Sequence, residues 1–573
     1  MYGELLLKSI FMHLSVWVLS SLFILLLLII PFSIDANPLH RRPEKTIEKP
    51  IAEPDLDVGK TTLKNRWKIQ PPPHEINEPG HIYDPYHQNI LKGDYPILGQ
   101  DTFLLLTGIS DTTFEAKKLP VPSNASPQNP GSSPFFGNGN FLAVQQNFKF
   151  TFEFYKGNTS FKPRDFEIRV TPVFNINYLN AKERGIVNVN VANGTDRTQT
   201  DFALQEALLE VHLLNVTPYY DFISVRGGIQ PFTSDFRGLI FSDTNLGGRL
   251  FGNLNNNKLQ WNLAVFDMLE KNTNSELNTF DRRDQQVLVA NLYAQDFFGL
   301  AGWTNQFSVH YNHDRDTVHY DVNRFLNRPD PIGTAQPHEI NAAYVGWTSD
   351  GHIGRLNINH ALYFIMGKDS KNPISGQQLD LSGRLAALEL SYDRDWLRFK
   401  GSLFYSSGDS NPRDSNGSGF DSIFDFQKFA GGDNSFFNHE AIKINGVNLV
   451  QKNSLIPDLR SSKAEGQSNF VNPGLLLFNL GTDIEILQQL RASVNMNYLR
   501  FDQTAPLEIF LNQSNIRKDI GWDYSLGLQY RPFLNNNMVM NARGALFQPL
   551  GGFKDILTSD LLYSFSLNTV LTF

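Results

Sequence analysis

The 573-residue chain contains no cysteine. This excludes a disulfide framework and a lipid-anchored N-terminus, and it suits a protein that crosses an oxidising compartment unfolded. A basic excess is missing too. Fifty Lys and Arg stand against 58 Asp and Glu, for a formal charge of −8, so the charge pattern gives nucleic acid no footing. Long apolar runs are confined to one stretch, about Ser15 to Phe32, which excludes a bundle of membrane helices. Lys8 precedes that run and small or polar residues follow it to Ala36. Residues 1–36 therefore read as an export signal with cleavage near Ala36, the alternative being a single membrane helix. Residues 37–98 lack periodicity, are rich in proline and charge, and include Pro71, Pro72 and Pro73. They read as a periplasmic N-terminal extension.

What the chain has in abundance is alternation. Along 560–573, Tyr563, Phe565, Leu567, Leu571 and Phe573 fall on one face and Ser564, Ser566, Asn568 and Thr572 on the other. An apolar face ending on an aromatic residue points toward lipid. Tyr563, Phe565 and Phe573 then form the expected assembly signal, read by the outer-membrane barrel-assembly machinery. Seventeen further alternating segments precede this one from residue 101 onward, among them 379–393, 395–407 and 472–485. Every second connection is short, and those between are longer, up to about 64 residues for 408–471. The pattern predicts an all-β fold, a transmembrane antiparallel up-and-down β-barrel of about 18 strands (range 16–20) occupying 99–573, with short periplasmic turns and long extracellular loops. Trp261, Trp303, Trp347 and Trp396 fall at short-turn ends and Trp522 at the other rim, as interfacial girdles require. A mean hydropathy of −0.29 fits a wall with one wet face.

Strand parity also assigns the wet face. Phe148, Phe150, Phe152 and Phe154 point outward, which turns Lys149 and Glu153 into the lumen, and the same alternation sends Arg169, Glu206, Glu210 and Arg226 inward. Arg398, Lys400, Arg491 and Arg531 follow from later strands. These ten residues are the candidates for lining a hydrated passage. Cross-strand pairing that merely solvates the wall is the plainer reading of each one. As a group, Arg226, Arg398, Lys400, Arg491 and Arg531 could attract anions. The 408–471 loop carries Phe424, Phe426, Phe429, Phe436 and Phe437, too many apolar side chains for a segment free in water. It reads as a gate folded into the lumen or, equally, as an external cap. Its first part offers Asp409, Asn411, Asp414, Asn416 and Asp421 as candidate calcium ligands, without EF-hand spacing. No other cofactor is indicated. Gly408-Asp409-Ser410 lacks the surroundings of a lipolytic nucleophile, and the lumen histidines His212 and His310 have no recognisable catalytic partner, so no enzyme is expected.

Ser407-Gly408-Asp409, leading through Phe420-Asp421 and Phe424-Asp425 into the long loop, is similar to the alginate-export type of Gram-negative outer-membrane porin-type barrel. In sequence the likeness covers 406–432. It implies an outer-membrane channel that passes an anionic polysaccharide through a basic, loop-gated lumen, with Arg398, Lys400 and Arg491 as contacts. The mixed charge of this lumen departs from that pattern. The expected function is a porin or exporter passing hydrophilic solutes in the cell outer membrane of a Gram-negative bacterium. A structural or adhesive barrel, or a sleeve around a periplasmic partner, is the alternative. A TonB-dependent receptor would need about 22 strands and a larger plug.

Overall fold

The computed structural model describes residues 88–120, 137–157, 163–219, 221–440 and 454–573. The expected signal peptide and most of the 37–98 extension lie outside them. A twenty-stranded sheet, antiparallel except between two short pieces, closes on itself. Two members, Leu379–Leu381 and Asn416–Gly417, are short pieces, which leaves eighteen wall strands. These are β1 (Thr102–Lys118), β2 (Gly137–Lys156), β3 (Phe166–Glu183), β4 (Asp196–Asn215), β5 (Phe222–Thr233) and β6 (Ser242–Leu254). Next come β7 (Leu259–Lys271), β8 (Asn278–Ala294), β9 (Thr304–Asp314), β10 (Ile340–Ile353), β11 (Leu356–Asp369) and β12 (Arg384–Arg394). The last six are β13 (Leu397–Ser406), β14 (Leu475–Glu485), β15 (Leu490–Arg500), β16 (Asp519–Tyr530), β17 (Met538–Pro549) and β18 (Leu562–Thr572). The predicted strand 379–393 is broken near Gly383, and its first piece pairs with the Asn416–Gly417 bridge at the long-loop rim.

Each wall strand pairs with its sequence neighbour, and β18 closes on β1 from Ile109↔Thr572 to Lys118↔Tyr563. The rest of the β1 edge would be left with unpaired backbone groups. Residues 91–98 cover it: Leu106 N–H donates to the Leu91 carbonyl at 2.7 Å, and the Lys92 ammonium sits 4.0 Å from the centre of the Phe573 ring. Pro172 in β3 has no N–H to give the ladder, and opposite it the β3–β4 register slips so that Gln205 is bulged out. On the short-turn rim, Asn255, Asn256 and Asn257 take left-handed φ of 56°, 56° and 62°. The Asp221 carboxylate accepts from Asn256 N and Asn257 N at 3.0 and 2.9 Å, joining two adjacent turns.

The outer face is apolar from strand to strand. Phe152, Phe364 and Leu480 are 50%, 54% and 62% exposed, while their inward neighbours Glu153, Tyr363 and Asn479 are buried. Tyr563 and Phe565 point outward on β18. Trp347 lies flat against Phe307 on the outer face, Trp396 stands exposed in a short turn, and Trp303 is instead buried beside Gly351.

Candidate functional site: a divided lumen

The described parts of the 407–474 connection, 407–440 and 454–474, fold into the barrel. Phe420, Phe429, Phe436 and Phe470 are fully buried, as is nearly every residue of 454–475. Each buried phenyl contributes about 1.5–3 kcal/mol, which explains why this segment abandons water. Its root is tight: Asp409 N–H donates to the Asn472 carbonyl at 2.9 Å, and Gly474, at φ +60°, passes so close to Gly408 that a Cβ would lie 2.3 Å from its nitrogen. The short helix α1 (Phe436–Glu440) is capped by the wall, because Asp523 on β16 accepts from Phe436 N at 3.1 Å and from the Ser435 hydroxyl. The neighbouring turn reaches Asn495, the central residue of β15, where Gly431 at φ +94° leaves 3.2 Å for a Cβ. Asn497 donates to the Ala430 carbonyl at 3.1 Å. Around α1, Glu440 pairs with Lys117 at 2.9 Å and His439 with Glu115 at 2.9 Å.

Further along, Asp421 is gripped by Arg460 at 2.7 Å and Lys463 at 3.0 Å, and Lys463 also reaches Asp425 and Asp458. Burial alone would raise the Asp421 carboxyl, but these two cations hold it below the ordinary range. Other anchors tie the segment to the barrel. Arg283 on β8 donates to the Gly466 carbonyl at 2.6 Å and also to that of Ala464. Tyr344 on β10 donates to the Asp421 carbonyl at 2.9 Å. In the connection before β10, Asp330 accepts from Ser461 N and Oγ at 3.0 and 2.6 Å, and burial pushes its carboxyl up to about 6.

A second inward segment, 234–241, joins β5 to β6 and is bonded along the plug: Phe424 N to the Ile240 carbonyl at 3.1 Å, Phe426 N to that of Gly238 at 3.0 Å, and Lys428 N to that of Arg237 at 2.9 Å. Together the two segments cross the lumen, Arg237 reaching Glu389 at the centre of β12 and Gly431 packing on Asn495 at the centre of β15.

Toward the short-turn rim, the inner wall carries charge. Nine of the ten predicted lumen residues stand on the inward face, and each of the nine has an opposite charge beside it. Lys149 meets Asp111 at 3.3 Å, Glu153 and Glu206 meet Arg169 at 3.2 and 3.5 Å, and Glu210 holds Arg226 at 2.7 Å. Arg398 meets Asp393 at 2.9 Å, while Lys400 and Arg491 share Asp483 at 2.8 and 2.7 Å. Arg531 departs from expectation, because β16 ends at Tyr530 and this residue sits exposed in the following turn. The free cationic cluster therefore does not form. Strand parity gives no account of the Asp residues on neighbouring strands.

Arg249 was missed. Leu246, Gly248 and Leu250 facing out would have turned it inward, opposite Arg226. Its Nε donates to Asn262 at 2.7 Å, its guanidinium lies 4.3 Å from the centre of the Phe251 ring, and no carboxylate among the described residues pairs with it. Of the calcium candidates, Asp409, Asn411, Asp414 and Asn416 stay together in one turn, where Asn411 Nδ2 also donates to Asp414 at 3.1 Å, while Asp421 lies apart from them. Asp421 belongs to Arg460 and Lys463, Asp409 accepts from Asn411 N at 3.1 Å, and Asp414 accepts from Asn416 N at 2.8 Å. Among the described residues no cluster of three His, Asp or Glu could hold a metal. His212 bonds Asn215 at 3.0 Å, and His310 is buried with neither ring nitrogen hydrogen-bonded among the described residues.

These features define a closed, apolar-faced β-barrel with a plugged polar lumen, the class of a membrane-spanning barrel. No family model and no curated protein matches the chain. Among solved structures, it is similar to OccK5 (OpdH) of Pseudomonas aeruginosa, at 11% identity over 82% of this chain and 97% of that one, TM-score 0.42. It is similar also to a BenF-like porin from Pseudomonas fluorescens Pf-5, at 10% identity over 82% and 98%, TM-score 0.46. A third is OccAB4 of Acinetobacter baumannii, at 10% over 82% and 98%, TM-score 0.44.

Proposed function

We propose that the protein is an outer-membrane diffusion channel for small hydrophilic solutes, narrowed at mid-height by the 407–474 and 234–241 segments. The observation that carries this reading is the contrast between the two faces of one wall: aromatic and aliphatic outside, ion-paired and partly water-accessible inside. Lys149 keeps 35% of its side chain exposed at the lumen wall, which a dry core would not allow. The short-turn rim then faces the periplasm, the long loops face the exterior, and the outward face of Tyr563 and Phe565 meets lipid. Tyr563, Phe565 and Phe573 would engage the assembly machinery during insertion.

The narrower reading, passage of an anionic polysaccharide as the alginate-export likeness implies, has Arg226 and Arg249 in its favour. Glu153, Glu167, Glu206 and Glu210 in the same half favour small solutes of either sign. The dense packing of 454–475 favours a second reading, a sealed structural or adhesive barrel. Single-channel recording in planar bilayers separates the two. A channel gives steady conductance from the intact chain, and a sealed barrel stays silent even after removal of residues 410–468.

A further inference from the structure

One ion pair in the lumen differs from those that hold the plug. Arg237, on the inward 234–241 segment, reaches Glu389, the central residue of β12, which lies six strands around the wall from β6. The plug's Arg460–Asp421 pair has side chains only 1% and 0% exposed, whereas Arg237 and Glu389 keep 26% and 14%. Water therefore reaches this pair. Its backbone is held firmly: Arg237 N–H donates to Asp235 Oδ1 at 2.8 Å, and its carbonyl accepts from Lys428 N at 2.9 Å. Ser402 on β13 lies 3.4 Å from the second Glu389 oxygen. Phe426 and Lys428, on the adjoining edge of the partition, are also exposed.

We propose that the Arg237–Glu389 pair is a crossbar over the passage that determines what the channel admits; the inference rests on the channel reading above. An intact pair presents little net charge to a solute while narrowing the opening. Removing one partner leaves a single uncompensated charge at mid-height, where low-dielectric walls focus its field. The two single variants therefore have opposite signatures. Arg237→Ala leaves Glu389 and biases the passage toward cations, and Glu389→Ala leaves Arg237 and biases it toward anions.

The test is reversal potential under a salt gradient, together with single-channel conductance, for the full chain in planar bilayers. Four proteins are compared: the parent, each single variant, and the exchanged pair Arg237→Glu with Glu389→Arg. The expected result is opposite shifts of reversal potential in the singles, higher conductance in both, and return of both quantities toward the parent in the exchanged pair. That return also demonstrates that the variants fold. A conducting parent whose reversal potential is unmoved by either single variant, or moved the same way by both, overturns the crossbar and leaves the channel reading standing. A silent parent and silent variants overturn both.

Discussion

Asp330 illustrates how a single side chain couples the plug to pH. Its carboxylate accepts twice from Ser461, and burial pushes it up to about 6, above the ordinary carboxylate range. The docked plug thus binds a proton more tightly than a released one does, so docking is favoured as pH falls through 6 toward 4 and weakened as it rises. His338 in the same connection is a separate matter: burial opposes its charge and Asp369 at 2.6 Å raises it above the ordinary imidazole value, but both residues lie outside the plug, so that pair stabilises the fold in acid without favouring docking. We expect the open fraction in bilayer recordings to rise roughly tenfold or more between pH 5 and 8, and Asp330→Asn to flatten most of that dependence. An unchanged profile in the variant would remove Asp330 from the account. Asp421 behaves oppositely, since its carboxyl is held low and its charge is lost only in stronger acid. Asp421→Asn leaves Arg460 buried without its paired carboxylate, while Lys463 keeps Asp425 and Asp458, at a cost of about 3–5 kcal/mol to the docked plug. Limited proteolysis within 410–468 should then become much faster while the barrel stays intact.

At the scale of the element, β18 shows how one strand serves two solvents. Phe565 meets the outside and Ser566 the inside, and the strand closes the barrel by pairing with β17 and β1. Phe565→Arg should cost about 2–4 kcal/mol if that residue sits near the bilayer midplane, measured as loss of folding stability in lipid vesicles. Ser566→Thr, facing inward, should change it little. The strands were legible because a period of two survives in any sequence with one dry and one wet face. The failures fell where the alternation gives out. The alternation runs on through Arg531 although its strand ends at Tyr530, and it runs through 379–393 although the strand breaks at Gly383, which the pattern of side chains does not mark.

At the scale of the whole molecule, the channel proposed above would have its passage set by the partition. Deleting residues 410–468 removes most of the plug and should raise single-channel conductance severalfold; equal conductance with and without the loop would mean that solutes bypass it.

The amino-acid sequence by itself determined the wall: its alternation, its even strand number, and the succession of short and long connections. All of these follow from local periodicity. It left open whether the phenylalanine-rich loop enters the lumen or caps it, because burial satisfies those side chains in either place. Only the tertiary structure decided that, through contacts such as Ser435 with Asp523 and Asn497 with Ala430, made between residues more than sixty positions apart. The same holds for the charges. Which carboxylate neutralises Arg226, Lys400 or Arg237 is a matter of strand register and loop path, and so of the closed barrel rather than of any one strand.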